Sequence, residues 1–274
     1  MKTDTLIIEP RKSDLSWDLK ELWRYRELLF FLVWRDIKVR YKQTVIGFGW
    51  AIIRPFLTMV VFTIFFGKVA KIPSDGFPYP IFSYSGLLLW TYFSQALSNS
   101  SDSLVGSSNL ISKVYFPRII IPLASSLSAV VDYAIASIIL FLMMLYYKIF
   151  PNINIILLPV ILVFTFLITT GMGLWLSALN VKFRDVRYVL PFFIQLLIFL
   201  TPVIYPVDFI PDRFRWLIYL NPIAGLIDVH RACILGYETL NFGLLYISLI
   251  VGIIIFAGGL KYFRKTENFF ADII

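Results

Sequence analysis

The chain is short of the side chains that most enzymes and metal sites use. Its 274 residues include one cysteine, Cys233, and one histidine, His230, which leaves no intrachain disulfide framework and no His/Cys metal cluster. Both read as ordinary packing or interface residues. Asp, Glu, Lys and Arg together make up only 15% of the chain. No paired carboxylates, GxSxG elbow or HExxH motif stands in the sequence, as a hydrolase or transferase would want. The glycine-rich signature GxxxxGKS/T is missing too, so the chain does not bind and split ATP in the usual way. If transport is ATP-driven, the engine is another chain. The first twenty residues, MKTDTLIIEPRKSDLSWDLK, have mixed charge and no apolar core of signal-peptide length, so no cleaved signal is expected.

What is present is apolar. Hydrophobic residues make up 59% of the chain and aromatics 18%, with mean hydropathy +0.79, which is the composition of an integral membrane protein. Six runs, 46–67, 79–97, 119–147, 155–179, 189–207 and 242–263, are long enough for a bilayer core of about 30 Å, which needs about 20 helical residues. They lack the alternation of a transmembrane barrel, so an all-α bundle of six transmembrane helices is expected. The net charge of +8 is dispersed around these runs and reads as membrane topology, with no nucleic-acid partner. Eighteen Lys and Arg fall on one side of the spans and six on the other, with Arg54 inside the first; positive charge marks the cytoplasmic side, which places both termini there. The expected organisation is a tail with an interfacial helix over 1–45, a membrane domain over 46–263 and a short tail over 264–274.

Residues 34–59, WRDIKVRYKQTVIGFGWAIIRPFLTM, carry the clearest pattern. At about 100° per residue, Phe30, Val33, Trp34, Ile37, Tyr41 and Val45 share an arc, and Arg35, Asp36, Lys38, Arg40 and Lys42 occupy the remainder. Such a helix lies on an anionic membrane surface and feeds directly into a span; an ordinary solvated helix is the plainer reading. Arg54, just before Pro55, either snorkels to the headgroups or binds phosphate. Asp132, near the middle of the third run, reads as a hydrogen-bonding link between helices. Too few carboxylates lie within the spans for a proton- or sodium-driven transporter.

Two connections are too long to be turns. In 98–118, the stretch from Asn109, Leu110 and Ile111 through to Phe116 suits one or two helical turns stopped by Pro117. Tyr115 and Phe116, beside Lys113 and Arg118, read either as an exposed docking pair or as interfacial anchors. The connection 208–241 is too polar to span and too apolar to float. Short re-entrant helices broken at Asn221-Pro222 satisfy both constraints. Phe56, Phe62, Phe65 and Phe66 in the first run, and Phe192, Phe193, Phe199 and Tyr205 in the fifth, either line a passage in which sugar rings stack or face lipid and core. Pro191, Pro202 and Pro206 imply a bent or interrupted fifth helix.

The segment LVWRDIKVRYKQTVIGFGWAIIRPFLTM, the loop LISKVYFPRIIIPLA, the turn LNVKFRDVRYV, and TPVIYP followed by Leu220-Asn221-Pro222 together resemble the membrane subunits of ATP-binding-cassette exporters of the type 2 permease family. The likeness is to the branch that exports lipid-linked polysaccharide, O-antigen most of all, with capsule and teichoic-acid exporters as relatives. The resemblance implies a homodimer in the bacterial plasma membrane, joined to two copies of a separate ATPase that holds the ATP and magnesium, and moving undecaprenyl-diphosphate-linked glycan outward. It makes 21–44 the interfacial helix and 109–118 the coupling helix, and it makes Phe183, Arg184 and Asp185 a second ATPase contact. It also makes 208–236, with Trp216, Tyr219, Asn221 and Pro222, an outer gate. Arg54 stands where relatives often carry Gln. With Arg35, Lys38, Arg40 and Lys42 it is the expected meeting place for the lipid diphosphate. A drug or small-lipid exporter of the same family, and a membrane enzyme acting on lipid-linked sugars, are the competing readings.

Overall fold

Away from water, a backbone of continuous apolar runs satisfies its own N–H and C=O groups by winding into helices. The computed structural model describes residues 19–42, 44–267 and 270, and contains no strand among them. The expected N-terminal tail up to residue 18, and all of the C-terminal tail beyond 267 except residue 270, lie outside the described residues. A short α1 (Leu19–Arg24) is followed by α2 (Arg26–Tyr41) and α3 (Gly49–Phe62), which continues as a π-helical stretch, Thr63–Val69. Next come α4 (Tyr79–Gly106), the single turn α5 (Ser108–Ile111), α6 (Ile120–Tyr147), α7 (Leu158–Lys182) and α8 (Val186–Leu200). Two short helices, α9 (Arg215–Leu220) and α10 (Ala224–Leu235), precede α11 (Phe242–Thr266).

Four segments, Gly49–Val69, Ile120–Tyr147, Ile153–Lys182 and Phe242–Thr266, are long and apolar enough to cross a membrane. The pair formed by Asp212–Leu220 and Ala224–Leu235, bent by 98°, makes a fifth if it counts as one crossing. The other two expected spans differ for physical reasons. At 28 residues α4 has the length, about 42 Å at 1.5 Å per residue, but its Ser, Asn and Asp residues make it too polar by composition. Helix α8 stops after 15 residues, about 22 Å against a hydrocarbon core of about 30 Å. Pro191 stays inside α8, and the interruption falls after Leu200, before Pro202, which cannot donate a helical hydrogen bond.

The polar residues of α4 make it the hub. It packs against α3, α6, α7, α8 and α10. Several of its serine hydroxyls bond to their own helix, as buried Ser85 does to Phe82 O at 2.8 Å and half-buried Ser103 to Ser100 O at 2.7 Å, and buried Ser100 reaches across to Pro122 O of α6 at 3.3 Å. Small residues then allow close approach, as membrane bundles require. A methyl group at Gly173 would overlap Ser100, and one at Gly259 would overlap the Gly171 backbone where α11 crosses α7. The main core fills the space around α4. A second cluster, with Leu32, Ile111, Phe116, Leu174 and Phe263, closes the end of the bundle where α2 and α5 lie.

Candidate functional site

Helix α2 lies along α6 through a polar seam. Asp36 accepts from Ser125 Oγ at 3.2 Å and pairs with Arg35 at 2.8 Å. One turn on, Arg40 pairs with Asp132 and donates to Ser128 Oγ at 3.2 Å. Asp132, only 6% exposed, also accepts from the Tyr41 hydroxyl and from Gln95 Nε2 of α4, the latter at 2.6 Å. The link between helices expected of Asp132 therefore joins α2, α4 and α6. Burial, reinforced by the Asp132 carboxylate, pushes the Tyr41 hydroxyl up to about 12, so it stays a donor at neutral pH.

This arrangement corrects the expected division of α2 into wet and dry arcs. Ile37 and Tyr41 do face the bundle, but so do Asp36 and Arg40, while Phe30, Trp34 and Val45 are exposed, Phe30 at 72%. The helix buries charge because α6 offers partners for it, and its aromatics point away. Of the five basic residues proposed to meet a lipid diphosphate, Arg35 and Arg40 are engaged with carboxylates, whereas Lys38, Lys42 and Arg54 are exposed. Arg54 borders a cavity of about 210 Å³ together with Arg40, Tyr41, Thr44, Trp50, Gln95 and Asp132.

In the connection after α4 a helical turn forms as expected, but α5 covers only Ser108–Ile111 and ends at Ser112, so it closes well before Pro117 and the proline is not what stops it. Asn109, Lys113 and Tyr115 are exposed, Tyr115 at 81%. Leu110 is half-buried, and Ile111 and Phe116 are buried in the second core cluster. The expected exposed aromatic pair is thus one exposed ring and one anchor. Arg118 is not free either: its backbone N–H donates to Glu267 Oε1 at 3.2 Å and its guanidinium to Glu267 O, tying the loop to the end of α11. Phe183, Arg184 and Asp185 are exposed between α7 and α8. That turn is held to the end of α4 by Asn180, which donates to Asp102 at 2.9 Å, and by Arg187, which lies 3.7 Å from the same carboxylate.

Of the eight aromatics proposed for a passage, Phe56 and Phe62 lie on α3, Phe65 and Phe66 on its π-helical continuation, Phe192, Phe193 and Phe199 on α8, and Tyr205 in the turn after it. Only Pro55 and Met59 of α3 and Leu190 of α8 are buried. Phe56, Phe65, Phe192, Phe193 and Phe199 are exposed, and Phe62, Phe66 and Tyr205 half-buried. At the opposite end from α5, the break between α9 and α10 falls at Asn221-Pro222 as expected. Trp216 is exposed, Tyr219 and Pro222 are half-buried, and Asn221 donates to Thr201 Oγ1 at 2.8 Å. His230 is buried and bonded to the Tyr133 hydroxyl at 2.8 Å, and Cys233 is buried and free; both are packing residues.

Arg231, one of the six basic residues expected on the side opposite the termini, is 1% exposed. Its guanidinium lies 3.8 Å from the Phe82 ring centroid, and its Nη2 donates to Pro202 O at 2.8 Å and Val203 O at 2.9 Å. The signal for this was in the sequence. Apart from Asp228, His230 and Arg231, residues 223–235 are all apolar or glycine, which leaves little wet face for a charge.

Several apolar helices around a buried polar hub define a multi-pass membrane protein of transporter type. The ABC-2 type transporter family pattern matches residues 27–235, and the chain belongs to that family. It is similar to the O-antigen export system permease protein RfbA of Klebsiella pneumoniae, 29% identical over 90% of this chain and 95% of that protein. Its identity to the RfbA of Myxococcus xanthus is 27%, over 93% and 98% of the two chains. The polysialic acid transport protein KpsM of Escherichia coli is 22% identical over 85% of this chain and 91% of its own length.

Proposed function

We propose that this chain is the permease subunit of an ATP-driven exporter that moves a polysaccharide linked to undecaprenyl diphosphate out across the bacterial plasma membrane. The observation that carries this reading is the likeness to permeases named for O-antigen export, which extends over nine-tenths of the chain. The missing ATP-binding signature supports a separate ATPase partner. In this reading the bundle makes six crossings, with α4 and α8 among them, both termini are cytoplasmic, and two copies assemble. The exposed turns around Tyr115 and Phe183 meet the ATPase, and the bent α9–α10 pair forms the outer gate. Lys38, Lys42 and Arg54 meet the lipid diphosphate, while Arg35 and Arg40, already paired with carboxylates, fix the helix that carries them. The likeness to KpsM favours a capsule polysaccharide as the second reading.

The test is reconstitution of the chain with its co-encoded ATPase. Stable co-purification, a dimer of each subunit and hydrolysis stimulated by lipid-linked O-antigen are the expected results. Stimulation by a capsular glycan alone selects the second reading. Failure to associate with any ATPase, or hydrolysis indifferent to every lipid-linked glycan, overturns both.

A further inference from the structure

The cavity beside Asp132 holds more chemistry than a phosphate site requires. Its inner wall is polar but neutral, because Asp132 is matched by Arg40, Tyr41 and Gln95. Arg54, one turn into α3, is different: no carboxylate among the described residues lies within ion-pair distance of it. It therefore gives the cavity an uncompensated positive charge, which favours an anion. Trp50 lies four residues earlier on the same helix, so the two side chains neighbour each other along one face. Both border the cavity, whose lining also includes Tyr41, Gln95 and Thr44.

A bare phosphate needs the cation but not the indole. An aromatic face next to an amide and a hydroxyl is what a sugar ring needs, since its C–H face stacks on the ring and its hydroxyls hydrogen-bond at the edge. At about 210 Å³ the cavity has room for a sugar ring.

We infer that this cavity seats the diphosphate together with the first sugar attached to it, Arg54 holding phosphate and Trp50 stacking on the ring. The inference rests on the export reading above and adds that the permease reads the sugar proximal to the lipid, whatever the repeat beyond it.

The full-length chain in nanodiscs is titrated with undecaprenyl diphosphate, with the same lipid carrying one N-acetylhexosamine, and with phosphatidylglycerol. Wild type is expected to bind the sugar-bearing lipid about five- to tenfold more tightly than the bare diphosphate. Trp50→Ala brings that ratio close to one, and Trp50→Phe retains most of it, which separates loss of stacking from loss of fold. Arg54→Gln weakens both diphosphate lipids. Equal binding of the two diphosphate lipids by wild type, or an unchanged ratio in Trp50→Ala, overturns the sugar seat while leaving the export reading intact. Phosphatidylglycerol binding as tightly as the diphosphate lipids also overturns it, and makes the cavity a headgroup site. Failure of the export reading shows separately, as loss of glycan-stimulated hydrolysis in the reconstituted complex.

Discussion

Asp132 gathers three helices on one carboxylate, and its removal leaves Arg40, whose side chain is 23% exposed, without a counterion. Breaking a buried pair by deleting one partner costs about 3–5 kcal/mol, so Asp132→Ala is expected to lower the melting temperature of the detergent-solubilised protein clearly. Asp132→Asn keeps an acceptor for either Tyr41, which donates to Oδ1, or Gln95, which donates to Oδ2, but not both, and is expected to lose less than Asp132→Ala. Arg40→Ala combined with Asp132→Ala should be milder than the sum of the single changes, because the two share one interaction. Strict additivity in that cycle would show that the seam is not energetically coupled. At the other end of the bundle, Arg231→Ala leaves the Pro202 and Val203 carbonyls without their donor and uncovers the Phe82 face. A loss of about 2–4 kcal/mol is expected in the same melting assay. Arg231→Lys is expected to rescue little, because an ammonium lacks the flat guanidinium face that lies over the Phe82 ring. Full stability of Arg231→Ala would mean that Asn221 and the Tyr79 hydroxyl, which donates to Ile204 O at 2.9 Å, are enough to hold the segment after α8.

At the scale of elements, the turn after α4 sets an exposed ring, Tyr115, beside a buried one, Phe116. Tyr115→Ala is expected to leave the melting temperature within about 0.5 kcal/mol of wild type while weakening the coupling of the partner's hydrolysis to substrate. Phe116→Ala, at a position 5% exposed, is expected to cost about 3–5 kcal/mol. The opposite pattern would move the ATPase contact elsewhere. The sequence shows a helical turn here, but not that it closes already at Ile111, nor which of two adjacent rings turns inward, because that depends on the cluster that Leu32, Leu174 and Phe263 form with Phe116. The same limit explains α2. Periodicity separates wet residues from dry ones, but in a membrane bundle both lipid and protein are dry, and α6 supplies partners for Asp36 and Arg40 that no pattern within α2 reveals. Four spans were legible because their apolar character is continuous. Helix α4 falls outside that criterion for the reason that makes it the hub: serine, glycine and asparagine sacrifice hydropathy for close approach.

Across the whole molecule, exposed apolar surface is unevenly composed, and that decides which faces meet lipid. Helix α11 exposes Ile250, Ile253 and Ile254, an unbroken apolar strip suited to hydrocarbon. Helix α8 exposes nearly its whole circumference, and Gln195 stands exposed in the middle of it. An amide held in hydrocarbon leaves its hydrogen bonds unmade at a cost of several kcal/mol, so the Gln195 face belongs against a second copy or a water-bearing passage. Cys233 is fully buried, so the native chain gives a low background for thiol labelling. In membranes, Gln195→Cys is therefore expected to react with a membrane-impermeant maleimide many times faster than Ile253→Cys, and occupancy by a lipid-linked glycan should slow it. Fast labelling that the glycan leaves unchanged would place Gln195 in a wet crevice outside the route. Equal, slow labelling at both positions would put α8 in lipid or in a dry interface, and would remove Phe192, Phe193 and Phe199 from any glycan path along with it.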